Sequence, residues 1–265
     1  MKSIQVYRGN PNDLVSFLKQ KKKTFRVVSS NYSVRIYEGE KKYIYTKDKN
    51  KNLLFSAYNL IKKDLAQTDY DPGEIAKSNI KYYGISEKLK NGFYAPEVTN
   101  FDIKQAYATE LKNLGLISAD TFNKLAKYPK DIRLKSVGMI ARKKTTYFFK
   151  DGEFTGQKFE QDQRGKNIFN LLCLNIGRKM DEIQAYLGDN FLFFWVDGIY
   201  LLPGYNEQKN WIIERHFTLP YVWKKETLKN FTIERDERAV KIQFLKEDNP
   251  RYFYLPIFEN HKMIL

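Results

Sequence analysis

Residues Phe191 to Leu202 constrain this chain more than any other stretch. Phe191-Leu192-Phe193-Phe194-Trp195-Val196 is followed by Asp197-Gly198 and then by Ile199-Tyr200-Leu201-Leu202, with Pro203-Gly204 closing the run. Asp-Gly between two apolar runs is the strongest short-range hairpin signal, so the sequence predicts a hairpin turning at Asp197-Gly198. Both runs are almost wholly apolar, which requires both faces of the hairpin to be covered. An acid at the tip of so buried a hairpin is costly unless it is paired or holds a cation. The competing reading is an exposed type I′ turn in which Asp197 has no chemical role.

A second acid stands at a comparable junction. Val98-Thr99-Asn100-Phe101-Asp102 reads as a strand ending in an aspartate, and Ile103 to Leu114 as a helix with Ala106, Tyr107, Leu111 and Leu114 apolar. Asp102 either projects from the strand end toward a metal or caps the helix, a common role for Asp at such junctions. One aspartate ending a strand and another at a hairpin tip form the ligand set of two-metal phosphoryl transfer, and hard carboxylate oxygens suit Mg²⁺.

Charge points to the same class of substrate. Lys and Arg number 46 against 31 Asp and Glu, for a net charge of +15, so a polyanion is the natural partner. Tyr and Phe, 19 of each, are interleaved with the lysines, and such a surface neutralises phosphates and stacks bases. A merely Lys-rich, solvated surface is the bland alternative. Cys173, the one cysteine, lies in the apolar run Leu171-Leu172-Cys173-Leu174 and reads as a small buried hydrophobe in a reducing cytoplasm. His216 and His261 lack Cys or His neighbours, which argues against zinc. No apolar stretch reaches membrane-helix length, and MKSIQVYRGN lacks a signal-peptide core, so a soluble cytoplasmic protein is expected.

Periodicity places a helix at Pro11 to Gln20, capped near Asn10 or Asn12. Strands follow at Phe25–Val28, Tyr32–Tyr37 and Lys42–Tyr45, then a second helix from Leu53 to Leu65. Lys19 and Lys21 to Lys23 either touch phosphates or dress a helix end. Asp71-Pro72-Gly73 and Tyr83-Gly84 mark the irregular stretch where a boundary is expected. A long amphipathic helix is predicted over Lys166 to Leu187, with Ile168, Leu172, Ile176, Met180, Ile183 and Leu187 forming its apolar stripe. Trp223-Lys224-Lys225 and Pro250-Arg251-Tyr252 pair basic with aromatic residues, as a grip on nucleic acid would.

Three segments in order carry a family resemblance. Phe101-Asp102-Ile103-Lys104-Gln105-Ala106-Tyr107-Ala108 resembles motif A of family B DNA polymerases, D-x-x-S-L-Y-P-S. Lys130-Asp131-Ile132-Arg133-Leu134-Lys135-Ser136-Val137-Gly138 is similar to motif B, K-x-x-x-N-S-x-Y-G. Val196-Asp197-Gly198-Ile199-Tyr200 looks like the second half of motif C, D-T-D-S-I-Y. The departures are Trp195 for the first motif C aspartate, Gln105 and Ala108 in motif A, and Lys135 and Val137 in motif B.

The resemblance spans roughly half the chain, and it implies an α+β fold built on an antiparallel-sheet polymerase palm with very short fingers. The domains it implies are an N-terminal module (1–90, with nucleic-acid binding as one role open to it), the palm (91–205) and a thumb-like part (206–265). Asp102 and Asp197 would be catalytic, and with the Ile103 backbone carbonyl they would hold Mg²⁺ or Mn²⁺. Tyr107 would exclude a 2′-hydroxyl, and Lys130, Ser136 and Gly138 would contact the nucleotide. Trp223, Lys224, Lys225, Arg251 and Tyr252 would grip a DNA primer–template in the thumb position. No Asp-x-Glu cluster precedes motif A, so no proofreading exonuclease is expected. Phage or plasmid replication, with a protein primer or accessory subunit, is the implied setting. Another nucleotidyltransferase (primase-like, terminal-transfer or reverse-transcribing) and a catalytically degenerate palm that binds nucleic acid both stay open.

Overall fold

The computed structural model describes residues 4–6, 9–46, 50–202, 221–235, 239–256, 258–259 and 262–263. The expected Pro203-Gly204 terminator and both histidines lie outside these residues. Up to residue 116 the elements are β1 (Ile4–Val6), α1 (Pro11–Gln20), β2 (Phe25–Ser30), β3 (Ser33–Glu38), β4 (Lys41–Thr46), α2 (Lys51–Leu65), β5 (Tyr83–Ile85), β6 (Tyr94–Ile103) and α3 (Ala106–Asn113). Then come α4 (Ala119–Ala126), α5 (Lys130–Gly138), β7 (Lys143–Lys150), β8 (Glu153–Gln161), α6 (Gln163–Leu187), β9 (Phe191–Trp195) and β10 (Gly198–Leu201). Finally β11 (Trp223–Arg235), β12 (Ala239–Lys246) and β13 (Asn249–Pro256) precede a short pair, β14 (Phe258–Glu259) and β15 (Lys262–Met263). The class is α+β with antiparallel sheets, one of them curled into a half-barrel. No helix among the described residues is long and apolar enough to cross a membrane.

The chain divides into two compact units, Met1–Glu74 with Ile117–Phe169, and Ile75–Leu116 with Asn170–Leu265. This differs from a boundary near residue 90 followed by one continuous palm. The reason is strand pairing: β7 runs antiparallel beside β2 from Phe25↔Phe149 to Ser30↔Lys144, which ties residues 117–169 to the first unit.

In the first unit the sheet order is β1-β4-β3-β2-β7-β8. Helix α1 starts where expected, because the Asn10 side chain accepts from the Asn12 N–H at 3.0 Å and Pro11 tolerates the first turn. Its apolar positions Leu14 and Leu18 join Phe25, Val27, Ile36 and Phe149 in one core, with Phe25 and Phe149 stacked at 4.5 Å.

The second unit holds the antiparallel sheet β13-β12-β11-β6-β10-β9-β5. One face packs on α6, whose Ile176, Met180, Ile183 and Leu187 meet Phe101, Ile103, Phe194 and Ile199. Each such buried aliphatic contributes roughly 1.5–3 kcal/mol. Gly177 lets α6 approach the preceding segment closely, since a Cβ there would lie 2.4 Å from the Lys81 carbonyl oxygen. The opposite face covers Val98, Phe193, Phe231 and Ile242. The described residues after 220 form no separate thumb-like body. Strand β11 pairs with β6 from Trp223↔Ile103 to Thr232↔Tyr94 and so extends the same sheet.

Candidate functional site

Asp102 is not a helix cap. Strand β6 runs through Ile103, and the N-cap of α3 is Gln105, held at φ 56°. The chain leaves the sheet only after Lys104, whose N–H donates to the Val222 carbonyl at 2.8 Å. Asp102 therefore sits inside the ladder, with Gly198 of β10 on one side and Lys224 of β11 on the other. Cross-strand partners share a face, so Asp102 stands with Asn100, Tyr200, Lys224 and Glu226, away from α6.

The hairpin forms one residue earlier than its Asp-Gly signal predicts. Trp195 pairs with Gly198, which makes Val196-Asp197 the turn and places Gly198 within β10. Two backbone bonds hold this shifted turn. The Val196 N–H donates to the Tyr82 carbonyl at 2.7 Å, and the Asp197 carbonyl accepts from the Ile103 N–H at 2.9 Å. Val196 consequently adopts φ 53°, a left-handed backbone that is a genuine outlier for a β-branched residue.

Both aspartates are half-buried and lie on neighbouring strand ends. Their fields meet at Tyr200, whose phenol is held far above its ordinary range by burial and then by Asp102, Asp197 and Glu226. Tyr107 is likewise shifted up, by burial first and then by Cys173, Asp197 and Tyr82. Gly198 matters because it has no side chain: an added Cβ would lie 3.4 Å from Asp102 Oδ1 and from Asn100 Nδ2. Asn100 donates from Nδ2 to the Ile199 carbonyl at 3.3 Å and stiffens the same stretch.

Two half-buried carboxylates of this kind fit a hard divalent cation, because Mg²⁺ is commonly held by one or two carboxylates with water and substrate phosphates completing the shell. Among the described residues no group of three or more His, Cys, Asp or Glu side chains is arranged to hold a metal. Glu110 is turned to other work, accepting from the Tyr221 hydroxyl and from Asn175 Nδ2 at 3.0 Å. Asp189 pairs with Lys88 at 3.0 Å. Glu226 is the acid that sequence reading missed. It is matched with Lys224 and with Lys246 (2.7 Å), and although burial acts to raise its pKa, these two hydrogen bonds bring it below the ordinary value. Strand alternation along Lys224-Lys225-Glu226 was the signal for it.

The expected basic grip is divided by the same alternation. Lys224 shares the face of Asp102, whereas Trp223 packs against the α6-side core beside Tyr221, and Lys225 reaches over the Phe101 ring at 5.6 Å. Arg251 and Tyr252 are exposed on β13, and Tyr252 stands edge-on to Tyr254. Lys130, Ser136 and Gly138 all belong to α5 in the first unit. Lys130 is exposed on the first turn, Ser136 is fully buried and donates its hydroxyl to the Arg133 carbonyl at 2.8 Å, and Gly138 faces the Tyr32 hydroxyl.

No family model matches the chain, and no curated protein does.

Proposed function

We propose that the chain is a minimal, family B-like, template-directed DNA polymerase that transfers nucleotides from dNTPs to a primer 3′-hydroxyl. One observation carries the reading: Asp102 and Asp197 lie at adjoining strand ends of an antiparallel sheet, joined through the Gly198↔Asp102 pair and the Ile103–Asp197 backbone bond. The motif resemblance adds to it, since the same two positions are the acids of motifs A and C. Asp102 and Asp197, with the Ile103 carbonyl, would hold Mg²⁺ or Mn²⁺, which supplies charge neutralisation for the triphosphate and acidifies the attacking hydroxyl. Tyr107, whose phenol burial holds above its ordinary range, is by the motif A resemblance the ring against which a 2′-hydroxyl would clash. Lys130, Ser136 and Gly138 belong to α5 of the first unit, and their contact with the nucleotide rests on the resemblance to motif B alone. Lys224 with Arg251 and Tyr252 would meet the DNA backbone, and the half-buried Trp223 would support that strand. A protein primer or accessory subunit would be the further partner on this reading.

A second reading has a specific observation in its favour. Glu226, the further acid on the Asp102 face, is matched by two lysines, which suits a palm that binds nucleic acid without catalysis. Extension of a labelled primer–template with dNTPs and Mg²⁺ or Mn²⁺, beside Asp102→Asn and Asp197→Ala, separates the two. Templated extension lost in both variants supports the polymerase. Salt-sensitive binding without extension, unchanged by either substitution, selects the binding-only palm.

A further inference from the structure

We infer that the open face of the first unit's sheet is a binding platform for single-stranded nucleic acid, separate from the carboxylate pair. Register defines the face. Phe25 and Val27 of β2 point into the α1 core, so Arg26, Val28 and Ser30 point the other way. Their cross-strand partners Tyr37 and Arg35 on β3, and Phe148, Thr146 and Lys144 on β7, lie on the same side. Lys42 of β4 and Lys158 and Glu160 of β8 extend it in both directions.

The chemistry of this face is one-sided. Seven cations, Arg26, Arg35, Lys42, Arg142, Lys144, Lys150 and Lys158, line its hollows against the acids Glu160 and Glu40. Glu160 sits between Lys144 (3.4 Å) and Lys158 (3.6 Å), so it is matched locally and leaves the other cations unopposed by it. Two adjoining hollows share Arg26, Tyr37 and Phe148. One, of about 370 Å³, is bordered by Arg35, Arg142 and Lys144, and the other, of about 600 Å³, by Lys42, Lys150 and Glu40. The Arg26 guanidinium lies 4.6 Å from the centre of the Tyr37 ring, while Phe148 is 38% exposed in the middle of a sheet.

This charge pattern selects the occupant. Cations spaced along a trough neutralise a phosphate chain, and aromatic faces beside them stack bases, an arrangement used for single strands because duplex bases are already stacked on one another. An acidic peptide would match the charges and leave the rings without a partner. A flat membrane surface would not enter a concave trough.

The test uses the full chain and fluorescence anisotropy of a labelled single-stranded oligothymidylate of about 16 nucleotides. Arg26→Ser with Arg35→Ser should weaken binding at least tenfold near 0.1 M salt and flatten the log–log salt slope by about 1.4, as expected when two phosphates are no longer neutralised. Phe148→Ser should weaken it about tenfold with the slope unchanged, a readout that loss of charge alone would not give. If the arginine pair does not fold, Lys144→Glu with Lys158→Glu, exposed on β7 and on the edge strand β8, reads the same charge. Unaltered affinity in these variants, duplex bound as tightly as single strand, or polyglutamate competing as well as the oligonucleotide would overturn the proposal. The Asp197→Asn chain should bind like wild type, so failure of the polymerase reading and failure of this one give different results.

Discussion

Gly198 stands directly across from Asp102 in the ladder of β6 and β10, and a Cβ on it would lie 3.4 Å from the Asp102 carboxylate. That distance is ordinary contact, so alanine fits the fold while occupying the space beside the acid. Gly198→Ala is expected to keep its melting temperature within a few degrees and to lower metal-dependent nucleotide incorporation by about 10–100-fold, the scale of a small misplacement at a reacting centre. Thermal unfolding and single-turnover extension, run together, check it. Full incorporation in a folded Gly198→Ala chain would mean that the open space is not used.

Val196 holds φ 53° beside Asp197, where asparagine is much better tolerated than a β-branched residue. Val196→Asn should therefore raise stability by about 0.5–1.5 kcal/mol in urea unfolding. An equal or lower midpoint would show that the Val196 side chain contributes more by packing than its backbone costs.

Cys173 is buried, and that burial pushes its thiol up to about 11, even though hydrogen bonds with Tyr82 and Tyr107 act in the opposite sense. At pH 8 the thiolate fraction falls on the order of 100-fold below that of an ordinary cysteine. Iodoacetamide should leave the native chain unmodified over minutes and alkylate it in urea, as followed by mass spectrometry. Rapid native labelling would place this residue at the surface.

Asp64 at the end of α2 accepts from both the N–H and the hydroxyl of Ser118, which caps α4, at 2.8 and 2.9 Å. Burial acts to raise its pKa, but bonds from Ser118 and Thr121 with the charge of Lys63 bring it below the ordinary value of 3.8. The folded state thus holds fewer protons than the unfolded chain. Its stabilisation is complete above the ordinary value and is lost as pH falls through the folded one. Asp64→Asn should lower stability at pH 7 by under about 1 kcal/mol, given its partial exposure, and the gap to wild type should close as pH falls through the lowered folded value. A gap independent of pH would assign the effect to shape rather than charge.

The sequence was most legible where one physical rule acted alone. Asn10-Pro11 marked the start of α1, and the stripe from Ile168 to Leu187 is buried throughout. Asp-Gly announced the hairpin but not its turn, because the bonds that move it to Val196-Asp197 come from Tyr82 and Ile103, distant in sequence. Trp223-Lys224-Lys225 looked like one basic–aromatic patch, yet strand alternation sends its members to opposite faces once β11 lies beside β6. The platform around Arg26 and Arg35 had no local signal, since it depends on β7 arriving beside β2.

That late arrival has a consequence for the chain as it is made. When β2 leaves the ribosome, its pairing edge has no partner until β7 has also emerged, after the whole Ile75–Leu116 segment of the other unit. In the interval a strand bearing Phe25 and Val27 is exposed to pairing with other nascent chains, a hazard of long-range β-pairing. A product cut short near residue 116 would keep that edge permanently open. Aggregation during synthesis, more than weakness of the finished fold, is then the danger this topology carries.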